Sequence, residues 1–199
     1  MKSSSRQPST ENRVQNMQKN IKKISAFALF LLFSALLYAD KNLPDGFKKI
    51  RFGMTVDQVK EELKKDPSFG FRGDRDVSLL PGENRILIET DTSRTAPYSF
   101  LERCWFQFFD DKLYTITINM KKKKMDHYSI YTTLTEKYGN PDSLNPEKSE
   151  WRSDGVIMSL ERPLTLKYTD RKIFEDLQSK AMVKETAEEQ SKQDFLDLL

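Results

Sequence analysis

The feature that most restricts the fold is the stretch at residues 102–120, ERCWFQFF-DDK-LYTITINM. Two runs rich in aromatic and β-branched residues, 104–109 and 113–120, flank a short polar connection at 110–112, the pattern of an antiparallel hairpin. Along the second run Tyr114, Ile116, Ile118 and Met120 alternate with Thr115, Thr117 and Asn119. One side is therefore expected to be core and the other wet. An isolated strand pair is marginal in water, so further elements must cover its apolar side.

Those elements are legible on both sides of the hairpin. Upstream, GMTVDQVKEEL carries Thr55 as N-cap, Gln58 three residues on to close a capping box, and Met54 to staple Val59. Val56, Val59 and Leu63 form its apolar stripe, and Pro67 ends it. RILIET at 85–90 predicts a strand. Residues 69–81 are expected to form a loop and 40–50 a turn-rich lead-in. Downstream, a helix capped by Asp126 is expected to bury Tyr128, Tyr131, Leu134 and Tyr138, stopping at Gly139 and Pro141. Further strands follow in EWRSDGVIMSLE and LTLKYTD, with a turn at Ser153, Asp154 and Gly155. From Asp170 a long helix runs to the end, apolar at Ile173, Phe174, Leu177 and Ala181 and then highly charged.

The expected fold is α+β, an antiparallel sheet with helices packed on one face and a long C-terminal helix. The order helix, strands, helix, strands suggests a tandem repeat, with halves at about 47–120 and 125–170 and tryptophans Trp105 and Trp151 in matching strands. The domain reading is 1–39 as a signal peptide, 40–170 as the α+β domain and 171–199 as the C-terminal helix.

The signal reading rests on Lys19, Lys22 and Lys23 before an uncharged run at 24–39 that closes with Leu37, Tyr38 and Ala39. The run is shorter than the roughly 20 apolar residues of a membrane-crossing helix. Cleavage near Ala39 is expected, with Met17 as the start of a signal of ordinary length. An uncleaved N-terminal anchor is the alternative. Removing 1–39 takes away six of 33 Lys and Arg and one of 30 Asp and Glu, turning a net charge of +3 into −2. The basic balance thus belongs to the targeting segment, and a nucleic-acid partner loses its support. Periplasmic or other extracytoplasmic localisation follows, and the single cysteine allows no internal disulfide.

No residue set assembles a reaction. His127 is the only histidine and falls in the first turn of a helix; Cys104 alternates with Phe106 and Phe108 and reads as a buried, inert thiol. One His and one Cys compose no metal cluster, and the acidic stretches lack calcium-loop spacing. The expectation is a protein that is not an enzyme and carries no cofactor. Two surface features stand out as candidate interface: Lys121, Lys122, Lys123 and Lys124, able to attract an anionic membrane or cell-wall surface, and Phe195, Leu196, Leu198 and Leu199, large apolar residues after a polar helix half.

Gly53-Met54-Thr55 with Val59, and Tyr138-Gly139-Asn140-Pro141 followed by Trp151, resemble the SmpA/OmlA (BamE-type) envelope domain. The resemblance covers about fifteen residues, split over more than eighty positions, and the lipidated cysteine of that family is absent. It implies a bacterial, extracytoplasmic interaction module without catalysis. The functional expectation is an exported envelope protein that binds another envelope protein. The alternative is a small-ligand or anionic-surface binding protein with a cleft between the halves, lined by Trp105, Tyr114, Tyr131 and Trp151.

Overall fold

A computed structural model describes residues 42–82 and 84–196; the expected signal segment and its cut near Ala39, with Leu198 and Leu199, lie outside the described residues. A two-strand hairpin, β1 (Gly46–Phe47) and β2 (Ile50–Arg51), precedes α1 (Val56–Lys65). Then come β3 (Val77–Leu79), β4 (Arg85–Asp91), the single-turn α2 (Thr92–Thr95), β5 (Leu101–Phe109) and β6 (Lys112–Met120). The second half holds α3 (His127–Tyr138), β7 (Ser143–Leu144), β8 (Lys148–Arg152), β9 (Val156–Glu161) and β10 (Thr165–Asp170), and α4 (Arg171–Leu196) follows.

The fold is α+β. Eight strands form one antiparallel sheet in the order β3-β4-β5-β6-β10-β9-β8-β7. Each half is a helix followed by a four-strand meander, and the halves join last strand to last strand: Leu166 pairs with Ile118 and Tyr168 with Ile116. The tryptophans are not counterparts, however. Trp105 lies on the third strand of its meander and Trp151 on the second of the other. The short strands β3 and β7, which shift this count, carry too few residues for a period-two signal.

One face of the sheet makes the core. Ile88, Phe106, Phe108, Ile116, Ile118, Met158, Leu160 and Trp151 pack there with Val59 and Leu63 of α1 and Leu134 of α3. The capping box of α1 is complete, with Gln58 N–H donating to Thr55 Oγ1 (3.2 Å) and Thr55 N–H to Gln58 Oε1 (2.9 Å). A second acceptor comes from the hairpin, where Asp111 Oδ1 takes the N–H of Val56 at 3.0 Å. The connection at 110–111 is only two residues long, both with positive φ (47° and 57°), the twist that a tight hairpin needs.

Several local expectations change. Residues 69–81 hold a 3-10 turn at Gly73–Asp76 and the edge strand β3, with the Asp76 carboxylate accepting Arg72 N–H, Nε and Nη2 at 2.8, 2.9 and 2.6 Å. On α3, Tyr128 is 75% exposed and Ile130 packs against the core in its place, together with Tyr131 and Tyr138. Tyr114 leaves the side of Ile116 and Ile118, because a register shift between Gln107 and Phe108 gives it no cross-strand partner. Its hydroxyl meets Gln107 Oε1 at 3.1 Å.

Candidate binding face

The helices α1 and α3 pack on the core side of the sheet, and much of the second face is partly exposed. Cross-strand pairing runs one row through six strands: Glu89, Trp105, Thr117, Lys167, Ser159 and Glu150. At about 4.8 Å between strands the row spans roughly 24 Å. Flanking rows add Leu87, Gln107, Phe109, Asn119, Thr165 and Ile157, each partly exposed. Thr115, Thr169, Ser159 and Glu150 on the same face are buried, and Tyr114 is only 9% exposed, so the half-wet part is the smaller area around Trp105, Thr117, Asn119 and Lys167.

Its margins are held by ion pairs. Glu150 accepts Lys148 Nζ and Arg152 Nε, both at 2.6 Å. Burial pushes its carboxyl up, but those two hydrogen bonds and charges outweigh burial and hold it below the usual carboxylate range. At the opposite margin Arg103 lies 3.5 Å from Glu89 and 3.7 Å from Asp91, beside a polar hollow of about 370 Å³ that also involves Arg72, Arg75 and Ser78.

A separate groove of about 540 Å³ lies between the start of α3 and the β7–β8 turn. Tyr128, Tyr131, Leu144 and Pro146 line it, with His127, Lys148 and Arg162 among its polar groups. Arg162 Nε donates to Pro146 C=O at 2.8 Å. Burial first, then the Arg162 guanidinium, push the His127 imidazole below its ordinary value, so it is neutral at pH 7. Sequence reasoning missed this groove, since two-residue β7 and the turn after it gave no periodic signal.

The sequence-derived candidates separate on the structure. Trp105 and Tyr114 belong to the open face, whereas Tyr131 and Trp151 meet at 6.2 Å on the helix side, with the sheet between the pairs. Lys121 Nζ donates to Ala96 C=O and Pro97 C=O (3.3 and 3.4 Å), and Lys124 Nζ to Pro97 C=O and Tyr98 C=O (both 2.9 Å). Two of the four lysines therefore clamp the loop after α2, and Lys122 and Lys123 stay exposed. Phe195 and Leu196 are 61% and 50% exposed. Cys104 is fully buried and its thiol is pushed up to about 12 by burial, which leaves no thiolate for chemistry at neutral pH. Among the described residues no three of His, Cys, Asp and Glu gather as a metal site requires, and no helix is long and apolar enough to cross a membrane.

The residues behind the envelope-domain resemblance have local roles. Gly53 holds φ 77° and its N–H donates to Leu113 C=O at 2.9 Å, docking the GMT segment on β6. Gly139 C-caps α3 at φ 76°, and its carbonyl accepts Trp151 Nε1 at 2.8 Å.

Fold and face together define an α+β protein with one sheet face packed on α1 and α3 and the other partly exposed, around Trp105, Thr117, Asn119 and Lys167. The chain belongs to the TP0088 domain family, whose match runs over residues 45–180, from the β1–β2 hairpin into the first turns of α4. No curated protein and no solved structure matches the chain.

Proposed function

We propose that this is an exported, non-enzymatic protein of the bacterial cell envelope that binds another envelope protein through the open face of its sheet. The observation that carries the reading is the uncovered plane around Trp105, Thr117 and Lys167, where aromatic and aliphatic groups sit half-exposed among hydroxyls and ion pairs. Interfaces are enriched in such aromatic anchors within a polar rim. Export is supported by Lys19, Lys22 and Lys23 ahead of the apolar run and by the small residue Ala39 at its end.

The test is site-specific photo-crosslinking in intact cells. A crosslinking residue in place of Gln107 or Lys167 is expected to give a discrete adduct, and one in place of Glu61, on the exposed side of α1, to give none. Equal labelling from both sides of the molecule, or none from either, would sink the reading. Mass determination of the purified protein is expected to place its first residue near Asp40. A second reading, a binder of small anionic ligands, is favoured by the groove beside Arg162 and Tyr131. It predicts that an amphiphilic anion raises the melting temperature of the parent and not of Arg162→Gln.

A further inference from the structure

Two loops meet where β5 begins and β6 ends. Lys121 N–H donates to Phe100 C=O at 2.9 Å, and the Nζ atoms of Lys121 and Lys124 reach the carbonyls of Ala96, Pro97 and Tyr98. Lys124 Nζ also lies 5.8 Å from the centre of the Phe100 ring. These contacts fasten residues 121–124 to residues 96–100. Lys124 N–H donates to Lys121 C=O at 2.9 Å, closing a turn with Lys122 and Lys123 at its tip. Both tip lysines are exposed, as is Arg94 just before the clamped carbonyls, and among the described residues none of the three has an ion-pair partner. Beside them Tyr98 and Phe100 are exposed large aromatics. Residues 92–100 and 121–125 contribute five cations and no carboxylate, in a chain whose residues 40–199 are net acidic. Of the nearest acids in sequence, Asp126 is taken up capping α3, where it accepts from the N–H and hydroxyl of Ser129, and Glu102 stands on β5 beyond Phe100.

We propose that this end of the sheet docks on an anionic lipid bilayer, with Lys122, Lys123 and Arg94 at the lipid phosphates and the rings of Tyr98 and Phe100 at headgroup level. The negative surface potential of such a bilayer draws the unpaired cations, and its interfacial layer is where aromatic rings settle. One flat partner thus accounts for both halves of the patch. A soluble polyanion would engage the cations and leave both rings in water. Lys121 and Lys124 have a different part: their ammonium groups are already bonded to carbonyls, and they hold the rings and the tip cations on one platform. Strands β5 and β6 then lead away from the lipid, and the docking does not depend on what the exposed sheet face binds.

Co-sedimentation of the protein, purified as the cell delivers it, with vesicles of phosphatidylcholine and phosphatidylglycerol in equal parts tests the proposal. The parent is expected to bind these more tightly than vesicles of phosphatidylcholine alone. Binding should weaken as salt rises from about 0.1 M to 1 M and the Debye length falls from about 10 Å to 3 Å. Lys122→Glu/Lys123→Glu is expected to weaken it about twentyfold or more, at about fivefold per lysine. Lys137→Glu/Lys172→Glu makes the same change of charge at the last turn of α3 and the first of α4, away from the patch, and should weaken it far less. Tyr98→Ser and Phe100→Ser are each expected to weaken vesicle binding and to leave binding of polyphosphate unchanged. Vesicles with brominated acyl chains are expected to quench the fluorescence added by Tyr98→Trp and not that added by Lys172→Trp, which separates docking through this end from any hold by an apolar N-terminal segment. All these side chains are exposed, so an unchanged melting transition certifies each variant as folded. Affinity indifferent to phosphatidylglycerol, equal loss in the two double variants, vesicle binding undiminished by both serine substitutions, or equal quenching at positions 98 and 172 would each overturn the proposal. So would a protein that takes up polyphosphate and leaves the anionic vesicles unbound.

Discussion

Glu150 shows how a single buried charge ties stability to pH. Its side chain is 7% exposed and shared between Lys148 and Arg152. A carboxyl whose folded value is depressed stabilises the fold at pH above its unfolded value near 4.5, and the contribution fades as pH falls through the folded value. Glu150→Gln is therefore expected to cost roughly 1–2 kcal/mol at pH 7. The gap between parent and variant should close in acid below the ordinary carboxylate range. Urea titrations at a series of pH values measure it; a gap that persists undiminished at pH 3 would contradict the assigned ion pairs.

At the scale of elements, α1 illustrates what sequence makes visible and what it hides. Thr55, Gln58, Val56, Val59 and Leu63 announced the helix, its cap and its buried stripe, because capping and amphipathic spacing act over four residues. The Asp111 carboxylate on Val56 N–H could not be read, since it reaches across 55 positions of chain. Thr55→Ala and Asp111→Gly, where glycine keeps the positive φ of the hairpin, are each expected to lower stability by about 1 kcal/mol. The double variant should depart from the sum, because both acceptors serve the first turn of the same helix and its fraying couples them. Chemical denaturation of the four proteins gives the cycle. The same contrast of local and distant causes explains the rest: the β5–β6 hairpin was plain from alternation, whereas the bulge that turns Tyr114 to the open face depends on the register with Gln107. The lysine run read as free charge because nothing local reveals that Lys121 and Lys124 fold back onto carbonyls at 96–98. The exposed face itself was partly legible, in Thr117 and Asn119, whereas Thr115, expected to be wet, is buried beside the bulge at Tyr114. Its extension over six strands required the long-range order of the sheet.

For the whole molecule, the seam between β6 and β10 is the contact that makes one sheet of two meanders. A chain ending at Pro163 lacks β10 and exposes edges on both β6 and β9, whose core-facing residues include Ile116, Ile118, Met158 and Leu160. Such long apolar edges are templates for pairing with other chains, so this truncation is expected to aggregate. A chain ending at Gln178 keeps the seam and should melt as the parent does; light scattering and thermal melting distinguish the two. Because β10 is the last strand to leave the ribosome, β6 waits with its inner edge bare while the 44 residues from Lys121 to Leu164 are still being added. Whatever escorts the nascent polypeptide must shield that edge, and its task ends only when the final strand slots into the middle of the sheet.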